Sequence, residues 1–285
     1  MTAVSLILAT VGRVDELRRC LDSLKSQSSR DFEVLIIDQN EDDRLMVVVE
    51  NARQAGLDLR HLRLYPPSLS DARNLGVSEA VGAVVGFPDD DCRYEQDVIQ
   101  KIIRRFSDNE WISGGVACWV EQAIATGQSL TSPLLLAQWR QFRDTSGSSI
   151  TLFFRRSVLL CVGGFDRRLG VGCWYGAGEE TDLVLRVLAE GGLIERIPEA
   201  RVHHTFGNSE SGALGKRFSR IRARSRGVGA LYAKHRFDMS VVLRGMMGPL
   251  FHALVGRQHV VTAIAACMGR LEGYMRWRIE ELSPP

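Results

Sequence analysis

At 285 residues, with 45% hydrophobic and 25% charged side chains, the chain has the composition of an ordinary soluble globular protein with a substantial core. Its six cysteines (20, 92, 118, 161, 173, 267) are scattered and form no CxxC pair, which argues against a disulfide framework or zinc site and suits reduced cytosolic thiols. A net charge of +2 conceals a basic block with eight Lys or Arg and no Asp or Glu over residues 216–236, which suggests an anionic partner: a membrane surface, phosphates or nucleic acid.

Residues 4–9 are apolar without a basic leader, and read as a first strand rather than a signal or a membrane span. Leu17, Cys20, Leu21 and Leu24 follow at helical spacing behind Asp15 and Glu16, whose charges favour a helix start. Residues 32–38 form a second buried strand ending in Asp38, and a polar loop leads to a helix closing near Ala55. A short strand at 61–64 stops at Pro66-Pro67, and Ser70-Asp71-Ala72-Arg73-Asn74 opens another helix. Strand and helix alternate in this way through the first ninety residues, which predicts a parallel sheet with right-handed crossovers. A dinucleotide-binding domain would need G-x-G-x-x-G after the first strand, and Thr10-Val11-Gly12-Arg13-Val14-Asp15 does not supply it.

The apolar run 83–87 then ends in Pro88-Asp89-Asp90-Asp91. Three adjacent carboxylates at the carboxyl end of a buried strand are costly unless a cation compensates them. That end is also where open α/β sheets bind ligands, and Mg2+ and Mn2+ prefer carboxylate oxygen. An acidic turn capping the next helix is the competing account.

Residues 98–106 are helical and 111–120 a strand. The stretch 121–149 is irregular, with a short helix within 134–142, and 150–154 returns to strand. Gly176-Ala177-Gly178 precedes Glu179-Glu180-Thr181-Asp182 at the start of a helix. Three carboxylates in four positions exceed what a cap requires. His203 and His204 follow a last strand and point to opposite faces, so at most one can join the Asp triplet, as a ligand or as a structural residue.

Beyond Ala213 the basic block runs into apolar segments at 241–255 and 259–268, both too short to cross a bilayer. An amphipathic hairpin on an anionic membrane and a helical cap packed on the core or a second subunit both fit this pattern.

Over residues 4–205 the chain resembles the family 2 glycosyltransferases. The resemblance rests on residues 4–10 and 32–38, Ala72-Arg73-Asn74-Leu75-Gly76, the Asp triplet, Phe154-Arg155-Arg156, Val162-Gly163-Gly164-Phe165-Asp166 and Glu179-Glu180-Thr181-Asp182-Leu183. It implies the α/β GT-A fold, a Rossmann-like mostly parallel sheet flanked by helices, as a catalytic domain over 1–212 with a basic, amphipathic helical appendage over 213–285. It further implies an inverting, metal-dependent enzyme that moves one sugar from a nucleotide-sugar donor to a hydroxyl acceptor. That acceptor would be lipid-linked or a saccharide, in cell-surface polysaccharide or glycolipid assembly.

In the resemblance the triplet is the DxD motif. Asp91 and Asp89, with His203 or His204, would hold Mn2+ or Mg2+, and Thr10, Asp38, Gln39, Arg73, Asp89 and Asp90 would line the donor site. Glu180 would be the general base, with Glu179 as the fallback, and Trp174 and Asp182 would lie on the acceptor side. The family often has a second Asp where this chain has Gln39, so UDP, GDP and dTDP all remain open. The expected place is the cytoplasm, at the inner face of the membrane if the tail binds lipid, with oligomerisation left open. A sugar nucleotidyltransferase and a basic nucleic-acid-binding protein are the alternatives. The first would be expected to carry a glycine- and lysine-rich phosphate loop, and the second leaves the acidic clusters without a role.

Overall fold

The protein is described here by a computed structural model covering residues 2–126, 132–142, 147–204, 214–256 and 258–282. Its first half alternates as the periodicity predicts: β1 (Val4–Thr10), α1 (Asp15–Lys25), β2 (Phe32–Asp38), α2 (Met46–Gln54), β3 (Leu59–Arg63), α3 (Leu69–Glu79) and β4 (Val84–Gly86). Then come β5 (Arg93–Tyr94), α4 (Val98–Asp108), β6 (Ile112–Trp119), α5 (Val120–Thr126), α6 (Leu136–Trp139), β7 (Leu152–Arg155), α7 (Arg156–Cys161), α8 (Glu179–Ala189) and β8 (Leu193–His203). Three helices close the chain: α9 (Leu214–Lys234), α10 (Met239–Leu254) and α11 (Val260–Leu282).

The strands form one eight-stranded sheet in the order β3-β2-β1-β4-β7-β6-β8-β5. β1 pairs in parallel with β2 and β4, β2 with β3, and β6 with β8, whereas β7 runs antiparallel between β4 and β6. The sheet is therefore mixed but mostly parallel. Side chains alternate along its strands. Leu6 and Leu8 of β1 face a core built with α1, α2 and α4, while Ile7 faces a second core built with α3 and α8.

Two strands are less legible in the sequence. β5 is a two-residue antiparallel edge on β8. β8 runs for 11 residues, and its register against β6 breaks between Ile197 and Arg201, around Pro198, which has no N–H to donate.

The expected boundary at 212–213 lies outside the described residues. The C-terminal helices share cores with the sheet domain: Tyr232, Phe237, Val241 and Val242 join the α3–α8 side, and Leu231 and Trp277 pack with Leu169 and Tyr175. α9 and α11 approach through glycine. A Cβ on Gly273 would overlap the Arg226 carbonyl oxygen, one on Gly229 that of Arg270, and one on Gly269 that of Arg222. The basic block is consequently not a free cationic face along its whole length, because Arg222 and Arg226 both pair with Glu272 of α11.

A buried ionic cluster clamps α9 to α8. The fully buried Asp182 carboxylate meets Arg186 Nε at 2.9 Å, Lys234 Nζ at 2.6 Å and His235 Nε2 at 2.9 Å. Lys234 also reaches Asp166 at 2.8 Å, and Asp166 holds Arg168 at 2.9 Å. Burial alone would raise both carboxyl pKa values. Arg168 and Lys234 at Asp166, and His235, Lys234 and Arg186 at Asp182, outweigh it and hold both low.

Two predictions follow from this packing. Gly273→Ala should lower stability by about 1–3 kcal/mol, because overpacking exceeds the gain in helix propensity. Gly248→Ala, with open space at its Cβ, should be neutral or stabilising; chemical denaturation of the two variants provides the comparison. Because both folded-state aspartate pKa values lie below their unfolded values, their stabilisation is complete above about pH 4 and is lost as pH falls through the folded values. Urea midpoints measured on acidification should show that decline, and Lys234→Met should flatten it.

Candidate active site

The acidic motifs meet at the carboxyl ends of β1, β2 and β4, the end of an α/β sheet where connecting loops leave a crevice. Asp89-Asp90-Asp91 follows β4, the N-terminus of α8 brings Glu179 and Glu180, and the end of β8 brings His204. Gly178, at φ 98°, makes the left-handed turn into α8 that residues with a Cβ rarely adopt.

Arg73 of α3 joins the two acidic motifs. Its guanidinium donates to Glu179 Oε1 at 3.1 Å, lies 3.5 Å from Asp89 Oδ1 and sits over the Phe165 ring at 5.3 Å. Arg73, expected to line the donor site, is only 2% exposed and spans two protein carboxylates, Asp89 and Glu179. Glu179 is buried as well. Its pKa is raised, first by burial and then by the adjacent Glu180, with Arg73 opposing. Glu180 is the member of the pair that reaches solvent.

The three aspartates have different surroundings. Asp90 is buried, accepting from Thr10 Oγ1 at 2.6 Å and Arg13 Nη1 at 2.9 Å. Burial raises its pKa despite these partners. Asp89 keeps 40% of its side chain open to the cleft. Desolvation by the surrounding protein nevertheless raises its pKa, opposed by Arg73 and reinforced by Asp91 and Glu180. Asp91 is the exception. Burial pushes upward, but His204 and Arg13 together bring its pKa below the ordinary aspartate value.

Asp91 has the surroundings of a cation ligand. Arg13 Nη1 donates to its Oδ2 at 2.6 Å, placing a guanidinium against the outer carboxylate. Its Oδ1 is ion-paired with His204 Nε2 at 3.0 Å, and this oxygen and His204 Nδ1 are buried without a well-formed hydrogen bond among the described residues. The ion pair raises the His204 pKa against the effect of burial. A ligand oxygen of Asp91, a His204 nitrogen and Cys92 Sγ all fall within 4.8 Å of one another. The Cys92 thiol is buried and its pKa is strongly raised, so it stays protonated and is a poor ligand. The oxygen–nitrogen pair that remains fits a divalent ion, and suits Mn2+ better than Mg2+.

The other sequence-predicted residues are placed as follows. His203 turns away from the triplet, its nitrogens 2.9 Å from Glu121 and 3.0 Å from Glu95, because adjacent strand residues face opposite sides; it is corrected as a metal ligand. Asp182, expected on the acceptor side, is fully buried in the α8–α9 clamp. Two residues past Glu180 on a helix, it projects from the far face. Both Asp38 oxygens are engaged, by His61 Nε2 at 2.8 Å and by the Asn40 amides. Gln39 Oε1 accepts from the Ser68 amide at 2.7 Å. Trp174, on the loop before α8, lies under the guanidinium groups of Arg226 and Arg276 at 4.3 and 4.2 Å.

Arg13, His61 and Asn40 were not singled out from the sequence. The only signal for Arg13 was the uncompensated charge of the triplet, which left open the group that would answer it.

Residues 5–141 match the family model described as glycosyl transferase family 2. The chain is 26% identical over 151 residues to the uncharacterized glycosyltransferase EpsJ of Bacillus subtilis (strain 168), covering 50% of this chain and 44% of that protein. It is 23% identical over 230 residues to an uncharacterized glycosyltransferase of Haemophilus influenzae, covering 73% and 70%. The match thus spans less than half the length of the Bacillus protein. Among solved structures, the mannosyltransferase PcManGT from Pyrobaculum calidifontis, in complex with GDP-Man and Mn2+, superposes with a TM-score of 0.67 at 12% identity over 98% of this chain and 87% of that one. S. aureus TarS 1–349 in complex with UDP-GlcNAc gives 0.59 at 14% identity, over 98% and 92%. At these identities the structural likeness speaks to the fold, which is GT-A. The matched family model over residues 5–141 and the named glycosyltransferase relatives support an enzyme of glycosyltransferase family 2.

Proposed function

We propose that this glycosyltransferase moves one sugar, with inversion, from a nucleoside-diphosphate sugar to an acceptor hydroxyl, with Glu180 as general base and a divalent cation at Asp91 and His204. The observation that carries this reading is the Arg73 bridge, which holds the Asp triplet and the Glu pair in one cleft. The solvent-reaching Glu180 takes the proton from the acceptor hydroxyl. The acceptor oxygen forms the new bond to the anomeric carbon as the bond to the diphosphate breaks on the opposite side. A single displacement of this kind inverts that carbon.

When bound, the cation supplies positive charge to the leaving diphosphate. Asp91 and His204 would hold it, and Asp89, at the open edge of the same cleft, would lie near donor ribose and sugar. Arg13, half exposed, rests on Asp91 Oδ2 and Asp90 Oδ1 and offsets part of the triplet's charge, leaving Asp91 Oδ1 toward His204. Buried Glu179 stays close to Arg73 and sets the position of Glu180.

Two structural neighbours support the donor class, since one holds GDP-Man with Mn2+ and the other UDP-GlcNAc. The acceptor is a lipid-linked or saccharide hydroxyl in cell-surface polysaccharide or glycolipid assembly. Transfer stops after one sugar, consistent with the lack of a Gln/Arg-x-x-Arg-Trp sequence after Glu180.

Asp91→Asn, nearly isosteric, should keep the fold but abolish Mn2+-dependent binding of nucleoside diphosphate in titration calorimetry. Unchanged affinity would remove Asp91 from the cation site. Glu180→Gln should lower turnover about a hundred- to ten-thousand-fold while leaving donor affinity near wild type. If Glu179→Gln abolished turnover and Glu180→Gln did not, the two roles would be exchanged.

A further inference from the structure

α10 and α11 invert the usual amphipathic pattern. α11 buries its small residues, with Ala263, Ala265, Ala266, Gly269 and Gly273 inside, and presents Ile264, Met268, Leu271, Met275 and Ile279 to solvent. The outward residues recur at steps of four, three, four and four, close to the 3.6-residue turn, so they form one continuous stripe. α10, which packs beside α11, carries a matching stripe of Met239, Leu243, Met247 and Phe251 at intervals of four. Phe251 is 62% exposed and Leu254, one turn on, is 86% exposed. Exposed apolar surface of this extent on a soluble chain marks a surface that meets something else.

The charges beside the stripes identify the partner. From Met239 to Leu271 the described residues carry Arg244 and Arg270 and neither Asp nor Glu; further along α11, Arg276 and Arg278 are exposed, while Glu272 is paired with Arg222 and Arg226 and Glu280 with Arg276 and Tyr175. Arg244 is exposed next to Leu243, and His252 is exposed next to Phe251. Two copies of such a face brought together would set like charges against each other, whereas an anionic lipid surface satisfies both the apolar stripes and the basic rim. No described helix is long and apolar enough to cross a membrane.

We propose that the outward faces of α10 and α11 seat the protein on an anionic bilayer, with the large side chains entering the headgroup–acyl boundary. The apolar stripes make the contact, and within the basic block of α9 Arg222 and Arg226 take no part in it because Glu272 occupies them. Seating α11 also carries the cleft to the membrane. Arg276, beside Met275, lies over Trp174, and Glu280, beside Ile279, accepts from Tyr175 Oη at 2.9 Å. Both aromatic residues belong to the loop that enters α8. On the reading given under Proposed function, this brings the acceptor side of the site to lipid.

The test is flotation of the full chain with vesicles of equal parts phosphatidylglycerol and phosphatidylcholine, against vesicles of phosphatidylcholine alone. The intact protein should float with the anionic vesicles at low salt and progressively less as salt rises. Phe251→Glu combined with Met268→Glu changes two exposed side chains, so thermal stability should be unaltered. If each side chain contributes about a tenfold gain in partitioning, the double variant should bind about a hundredfold more weakly. Arg222→Gln, which removes a partner of Glu272, should bind as the intact protein does. Failure of the intact protein to float at low salt would overturn the proposal, as would wild-type binding by the double variant. A dimer in light scattering that the double variant converts to monomer, without vesicle binding, would assign the face to a second copy. None of these outcomes depends on turnover, so they stand apart from the assignments of Asp91 and Glu180.

Discussion

Crowded negative charge at the carboxyl end of the sheet is the constraint on which the site depends. Asp89, Asp90, Asp91, Glu179 and Glu180 converge there, and the protein lowers the cost by giving each a different environment. Arg73, buried between Asp89 and Glu179, is central to that arrangement. A guanidinium cannot be deprotonated and presents several donors in one plane, so it can hold two carboxylates from distant parts of the chain in fixed relation. Thr10 and Arg13 hold Asp90 inside, which leaves the outer two aspartates facing the cleft.

α8 is tied at its first turn both to the sheet domain and to the C-terminal layer. Arg73 meets Glu179 in the first turn of α8, and Asp182 in the same turn is gripped by Lys234 and His235 at the end of α9. α9 in turn is locked to α11 by glycine contacts that permit near backbone approach. The C-terminal helices are consequently a structural part of the site's framework. Whatever α11 rests on is mechanically connected, through α9 and the Trp174 loop, to the helix carrying Glu180.

Several features were legible in the sequence because they depend on local chemistry. Apolar periodicity located β1, β2, β4 and the helices between them, since burial on two faces leaves a continuous apolar run and burial on one leaves a stripe. Stacked carboxylates at 89–91 and 179–182 marked the site because acidic side chains are seldom clustered without a compensating charge. The alternation of side chains along a strand limited the histidine pair to one residue facing the triplet, and strand geometry alone required that.

The identity of that residue was decided only by the tertiary structure, since the direction in which β8 enters the sheet selects His204 over His203. Arg73 was expected to line the donor site, and only the tertiary structure shows it buried between Asp89 and Glu179. Asp182 sat in the same acidic run as Glu180, yet the helical turn sends it to the opposite face, where Lys234 and His235 wait more than fifty residues further along the chain. The basic block and the apolar tail were both visible in the sequence. Which of them lies outward depends on α9 packing against the small-residue face of α11, a pairing set by backbone proximity that composition does not record.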